Sequence, residues 1–316
     1  MQPMKKNISI ALLTMALLVQ AAILLTPHHN TLYAENKKII LRNADIIEGG
    51  QLDGASSPDK QFRSVIGNVI FEHNNMTLQC DRATEYPGEN RITLTGNITI
   101  TGNDLEIHAD NGIYHPDTEI GELTGNVRGR MISSNHAAKA KKAILNNRTN
   151  QLWLYEDAIA WGADQQISGD IILVHLKETA KGGKRRIDEV QVHRNAFFAA
   201  KDTLSGTPQL FDQLSGKKMV IRMNDRSKIS GVTVTDQAES LYHLYDENRQ
   251  PSGINYSSGN IIRMLFRDGH LVRVNVTGNV EGKQYPVSYR GDTSLNLIGF
   301  AWREHENPFK NKKSLP

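Results

Sequence analysis

Arg91-Ile-Thr-Leu-Thr-Gly-Asn-Ile-Thr-Ile-Thr-Gly-Asn-Asp-Leu-Glu-Ile-His-Ala109 decides the fold, because its pattern recurs along most of the chain. Ile92, Leu94, Ile98 and Ile100 share one parity and Thr93, Thr95, Thr99 and Thr101 the other. That is the period-2 signal of a strand with one dry face and one wet face. Gly96 falls in the dry register. A two-residue turn at Gly96-Asn97 would set Thr95 against Ile98, a polar residue against an apolar one, so this pair reads as a bend or bulge inside a strand. A turn at Gly102-Asn103 instead sets Ile100 against Leu105, and Ile107 and Ala109 continue the dry face. One unit is therefore a kinked strand, a tight turn and a returning strand.

Outward from this unit the pattern repeats in both directions. Val65, Gly67, Val69 and Phe71 match Leu94, Gly96, Ile98 and Ile100, with Met76, Leu78 and Cys80 returning and His73-Asn74 in the turn. Leu123, Gly125 and Val127 open a third unit, and the bend glycines 67, 96 and 125 are spaced by 29 residues. A fourth unit runs through Leu152, Leu154, Ala158 and Ala160, with Glu156 in place of the glycine, and returns through Ile167-Ser168-Gly169-Asp170. Beyond Lys181-Gly-Gly-Lys-Arg-Arg186, Asn195, Gln237 and Asn279 mark the same frame on a period of 42. Such periodicity predicts an all-β chain, an elongated, repeat-built antiparallel jelly roll or solenoid-like folded sheet. His136 to Leu145 is the one stretch with helical character, and its place in a repeat argues for strand. With glycine lost at Glu156, Arg194 and Asp236, the later units are expected to bend differently.

The predicted organisation has four parts. Residues 1–34, with Lys5 and Lys6 before an apolar run from Ile8 to Leu25, read as a signal peptide or N-terminal anchor. Residues 35–180 and 187–305 form two β halves separated by the basic loop, and 306–316 is a basic tail. The signal points to secretion into an oxidising compartment or to anchoring at the membrane. Cys80 is the only cysteine, so no intramolecular disulfide forms, and it reads as a small buried side chain. The chain has 37 basic and 34 acidic residues; without 1–34, which hold two lysines and no acid, 35 stand against 34. That balance argues against nucleic acid as a partner.

Catalytic signatures are missing: no G-x-S-x-G, H-E-x-x-H or P-loop occurs. The 11 histidines lack ligand spacing, and no cofactor is expected. Asp81, Asp110 and Asp170 recur after the return strand, where strand-end turn chemistry accounts for them. On the repeats alone, the dry face fits a closed core or an open groove. A groove lined by Val, Ile and Leu suits acyl chains, since each buried CH2 is worth about 0.8 kcal/mol.

Leu94-Thr-Gly-Asn-Ile98, Leu123-Thr-Gly-Asn-Val127 and Val276-Thr-Gly-Asn-Val280 resemble the OstA-like family of lipopolysaccharide-transport periplasmic proteins, to which LptA, LptC and the N-terminal domain of LptD belong. Gln237-Ala-Glu-Ser-Leu-Tyr242, Gly253-Ile-Asn-Tyr256, Val280-Glu-Gly-Lys-Gln-Tyr-Pro286 and Leu297-Ile-Gly-Phe-Ala-Trp-Arg303 are more similar still to the long OstA-like proteins of the Bacteroidota and Chlorobi type. The resemblance implies the periplasm as location and a jelly roll that carries lipopolysaccharide acyl chains in an apolar groove toward the outer membrane. It also implies partners of the same family joined edge strand to edge strand, a second copy of this chain among them, and no catalysis. The implied lipid-lining positions are Val65, Val69, Phe71, Leu78, Leu94, Ile98, Ile100, Ile107, Leu123, Val127 and Leu154. Two other readings stand beside it: a structural β-solenoid module with a closed core, and a carbohydrate-active β-helix enzyme, which needs a convergence of acids that the sequence does not display.

Overall fold

The alternating segments become sixteen strands in a computed structural model of the chain, and no α-helix occurs among the described residues. Those residues are 40–51, 61–73, 76–101, 105–131, 136–146, 148–162, 164–178, 185–204, 209–225, 228–267 and 270–310. Residues 1–34, expected as a signal peptide or anchor, most of the loop between Gly49 and Lys60, and residues 102–104, 181–184 and 311–316 lie outside them.

Contacts divide the chain into two compact units on either side of Tyr155 and Glu156. The N-terminal unit holds β1 (Ile40–Asn43), β2 (Ile46–Gln51), β3 (Gln61–His73), β4 (Met76–Tyr86), β5 (Arg91–Thr101), β6 (Leu105–His115), β7 (Ile120–Met131) and β8 (Ala137–Asn146). Each strand from β3 to β8 pairs antiparallel with the next, and β1 and β2 share the outer edge of β3. β9 (Gln151–Trp161) runs across the division. The C-terminal unit holds β10 (Gln165–Glu178), β11 (Arg185–Lys201), β12 (Phe211–Met223), β13 (Ile229–Tyr245), β14 (Pro251–Arg267), β15 (His270–Thr277) and β16 (Glu281–Tyr285). Its last edge is shared: β15 pairs with residues 261–267 of β14 and β16 with residues 254–258.

The bend sits where the repeat places it. Thr95 faces Asn111 while Ile98 faces Ala109, so β5 carries one residue more than β6 across the kink, which is a bulge. Gly96 and Asn97 supply the turn with left-handed φ values of 75° and 47°. The later kinks bend the same way, contrary to expectation. Glu156-Asp157, Arg194-Asn195 and Asp236-Gln237 have φ between 52° and 62°. In the C-terminal unit the glycine has moved to the strand alongside. A Cβ on Gly169 would lie 2.4 Å from Val192 Cγ1, and one on Gly216 2.5 Å from Val234 Cγ1. There the facing glycine gives the bend its room.

The turn expected at Gly102-Asn103 lies outside the described residues, but the strands that flank it pair in a different register from the one expected. Ile100 faces Ile107, not Leu105. The shift is two residues, so every side chain keeps its face. His136 to Leu145 is strand, within β8 apart from its first residue.

Each unit folds its strands at the kinks so that the dry parity turns inward. Val69, Ile98, Ile107, Leu152 and Leu154 are at most 1% exposed in the N-terminal unit, as are Val192, Met219, Ile221 and Val234 in the C-terminal one. The C-terminal unit has two walls. The breaks in register at the kinks divide them: the first comprises residues 165–168, 196–201, 211–215, 238–245 and 251–258, and the second 171–178, 185–193, 218–223, 229–235 and 261–267.

A single dry face per strand, as the repeats predict, fails in the first wall. Phe197, Ala199, Leu241 and Ile254 are also buried, on the opposite parity, under a strap of residues 286–309. Phe300 and Trp302 of the strap lie 5.2 and 4.8 Å from the Phe211 ring.

Candidate functional site

The recurrent feature available for function is the apolar interior. In the N-terminal unit two cross-strand rows line it. Phe71, Leu78, Ile100 and Ile107 face one another in turn across β3 to β6. Val65, Ala83, Leu94, Gly112, Leu123 and Ala143 form the second row on the other side of the kinks. This row alternates large and small residues, the arrangement that lets facing layers interdigitate. At Gly112 the layers close up. A Cβ there would lie 3.2 to 3.5 Å from Leu123, Ile98 and Leu94.

Of the residues expected to line the groove, Val69, Leu78, Leu94, Ile98, Ile100, Ile107, Val127 and Leu154 are buried, and Val65, Phe71 and Leu123 are half-buried. All project to the dry side. The sequence reading passed over the small members of the second row, because Ala83, Gly112 and Ala143 carry little hydrophobic signal. It also stopped at Leu154, although the C-terminal unit has an apolar interior of its own, with Val192, Met219, Ile221 and Val234 buried.

There the walls enclose a cavity lined on the first wall by Phe198, Leu214 and Tyr242 and on the second by Met219, Ile221 and Met264. Its volume is about 30 Å³, room for two or three waters at roughly 10–15 Å³ each. One carboxylate reaches it: Asp212, whose Oδ1 accepts from the backbone N–H of His243 at 2.9 Å and stands 3.2 Å from its Nδ1. Burial pushes the Tyr242 hydroxyl well above its ordinary range, with Asp212 and Asp202 adding to the effect. In the N-terminal unit burial, seconded by the charge of Asp81, pushes the Cys80 thiol up to about 12. That thiol is a packing group, not a nucleophile.

The recurring aspartates do different work from that expected. Asp81 and Asp110 sit within strands and reach over the kink of the next strand. Asn97 Nδ2 donates to Asp81 at 2.9 Å and Asn126 Nδ2 to Asp110 at 2.8 Å. Asp45 and Asn68 repeat the contact at 2.9 Å, and Asp170 and Asn195 at 3.0 Å. These are clasps on the bends, not strand-end turns. Among the described residues no group of three or more His, Cys, Asp or Glu is placed to hold a metal ion.

Among the described residues no further strand pairs with the outer sides of β1, β2 and β15. Ile40, Ile46 and Ile47 on β1 and β2 are 41 to 74% exposed, and Val272 and Val274 on β15 are 40 and 46% exposed. Such edges are templates for a further strand. Among the described residues no helix is long and apolar enough to cross a membrane.

Residues 36–158 match the family model of the OstA-like proteins. No curated protein matches the sequence. Among solved structures, LptH of Pseudomonas aeruginosa, described as the LptA homologous periplasmic component of the lipopolysaccharide transport device, aligns at 12% identity. That alignment covers 49% of this chain and 97% of LptH, with a TM-score of 0.35.

Proposed function

From the premise that this chain is OstA-like over residues 36–158, we propose that it is a periplasmic lipid carrier. It holds the acyl chains of lipopolysaccharide between its walls and passes them toward the outer membrane. The observation that carries this reading is the pair of apolar rows lining the interior, Phe71-Leu78-Ile100-Ile107 and Val65-Ala83-Leu94-Gly112-Leu123. Rows of this kind hold a chain of CH2 groups through dispersion and desolvation, at about 0.8 kcal/mol for each group buried, without a catalytic or metal centre. Partners are other OstA-like proteins or a second copy, joined through the exposed edges β1–β2 and β15–β16 by β-augmentation.

The tightness of the C-terminal cavity favours a second reading, a structural module whose dry face is only a core. A co-elution assay separates them. The carrier, passed through gel filtration with purified lipopolysaccharide, retains the lipid, and an Ile107→Glu variant that still shows a β spectrum loses it. A folded wild-type protein that elutes lipid-free at every lipid ratio establishes the module.

A further inference from the structure

The C-terminal unit presents its cavity between two walls that differ in how they are held. The strap is bonded to the first wall at successive strands. Arg290 Nη2 donates to Asp202 Oδ2 at 2.9 Å and to the Tyr245 hydroxyl at 2.6 Å, and Tyr245 donates to Asp202. The Arg290 and Asp202 side chains are 9% and 0% exposed. Gln213 donates to Asn296 at 2.6 Å and accepts from the N–H of Leu297 at 2.9 Å. Gln166 brackets the strap further on, donating to the Ala301 carbonyl at 2.8 Å and accepting from the N–H of Arg303 at 2.7 Å. Arg303 then grips Asp157, in the β9 kink, with two bonds of 2.6 and 2.8 Å.

On the second wall Leu173 is buried on the outward parity of β10, but along β12 and β14 that parity is largely open to solvent. Lys217, beside the kink, and Arg222, Arg263, Leu265 and Arg267 are exposed. Between the walls run the left-handed kinks Arg194-Asn195, Asp236-Gln237 and Gly278-Asn279. Parting the first wall from the strap would uncover a second apolar face and strip several buried polar groups of their partners, so the strap stiffens this wall. Swinging the second wall uncovers one face, much of it Met219, Met264 and Phe266. Local opening follows the route that exposes least.

We infer that the C-terminal unit opens on one side only. The second wall swings about the line of kinks to enlarge the cavity, while the strap holds the first wall still. That the opening admits an acyl chain rests on the carrier reading above; the asymmetry itself does not.

Hydrogen exchange on the full chain tests it within single strands, so that edge position is the same for both halves. Amides in 218–223 and 229–235 are expected to exchange at least tenfold faster than those in 211–215 and 238–245. In Arg303→Gln, which loosens one anchor, exchange rises in 165–168 and 196–201 and leaves 218–223 unchanged; Gln213→Ala gives the same test nearer the cavity. Equal protection of both halves, or faster exchange in the first wall, overturns the proposal. Faster exchange of the second wall in a protein that takes up no laurate keeps the hinge and discards the lipid as its occupant.

Discussion

Gly96 and Asp81 form a mutually dependent pair. A Cβ at Gly96 would fall 2.1 Å from Asp81 Oδ2, and φ there is +75°. Gly96→Ala is therefore expected to destabilise the N-terminal unit by about 1–3 kcal/mol, from left-handed strain plus loss of the Asn97 clasp. In an Asp81→Ala background the same substitution costs less, because the steric part is gone. Denaturant titration of the four proteins in a double-mutant cycle measures the coupling, and strict additivity would contradict the clasp. Cys80 gives a second test at this scale. With its thiol held near 12 in the fold, iodoacetamide at pH 8 labels it only through unfolding. The linkage follows the same sign. Above the ordinary thiol range the unfolded chain loses a proton that the folded chain keeps, so this group's contribution to stability falls as pH rises from about 9 toward 12.

The strands show which features the sequence displays and which it hides. Alternation in Arg91–Thr101 made faces and kink readable because period 2 is a direct projection of the pleat. The register across β5 and β6 was not readable because a two-residue slip leaves every face unchanged. The later kinks were hidden because the glycine had crossed to the facing strand, at Gly169 and Gly216, where it permits the same bend in Arg194-Asn195 and Asp236-Gln237. The strap was unreadable for another reason. Its 3-10 turns carry no period, although the unbroken apolar run Ala196-Phe-Phe-Ala-Ala200 is the mark of a strand covered on both faces. Arg290→Ala leaves Asp202 buried without its cation and should cost about 3–5 kcal/mol, read as unfolding of the C-terminal unit ahead of the N-terminal one. Arg290→Lys should recover part of it. Lysine substitutions at Ile47 and Val274 belong to the edges and should abolish any concentration-dependent association in sedimentation velocity, leaving the fold intact.

For the molecule as a whole, a near-balanced charge and a lining without interruption by ionic groups in the N-terminal rows both favour an apolar ligand over a polyanion. The interior was legible in outline. Period and parity delivered eight buried positions, and what they left out was the small-residue row that sets how closely the walls approach. On the carrier reading, lipid lies on the dry parity and not the wet one. A photo-crosslinking amino acid placed at Ile98 or at Thr99 in living cells tests this directly, since neighbouring side chains point to opposite faces. Ile98 is 1% exposed, and it is expected to capture lipopolysaccharide while Thr99 does not. Capture at Thr99, or at neither position in a folded protein, would contradict it.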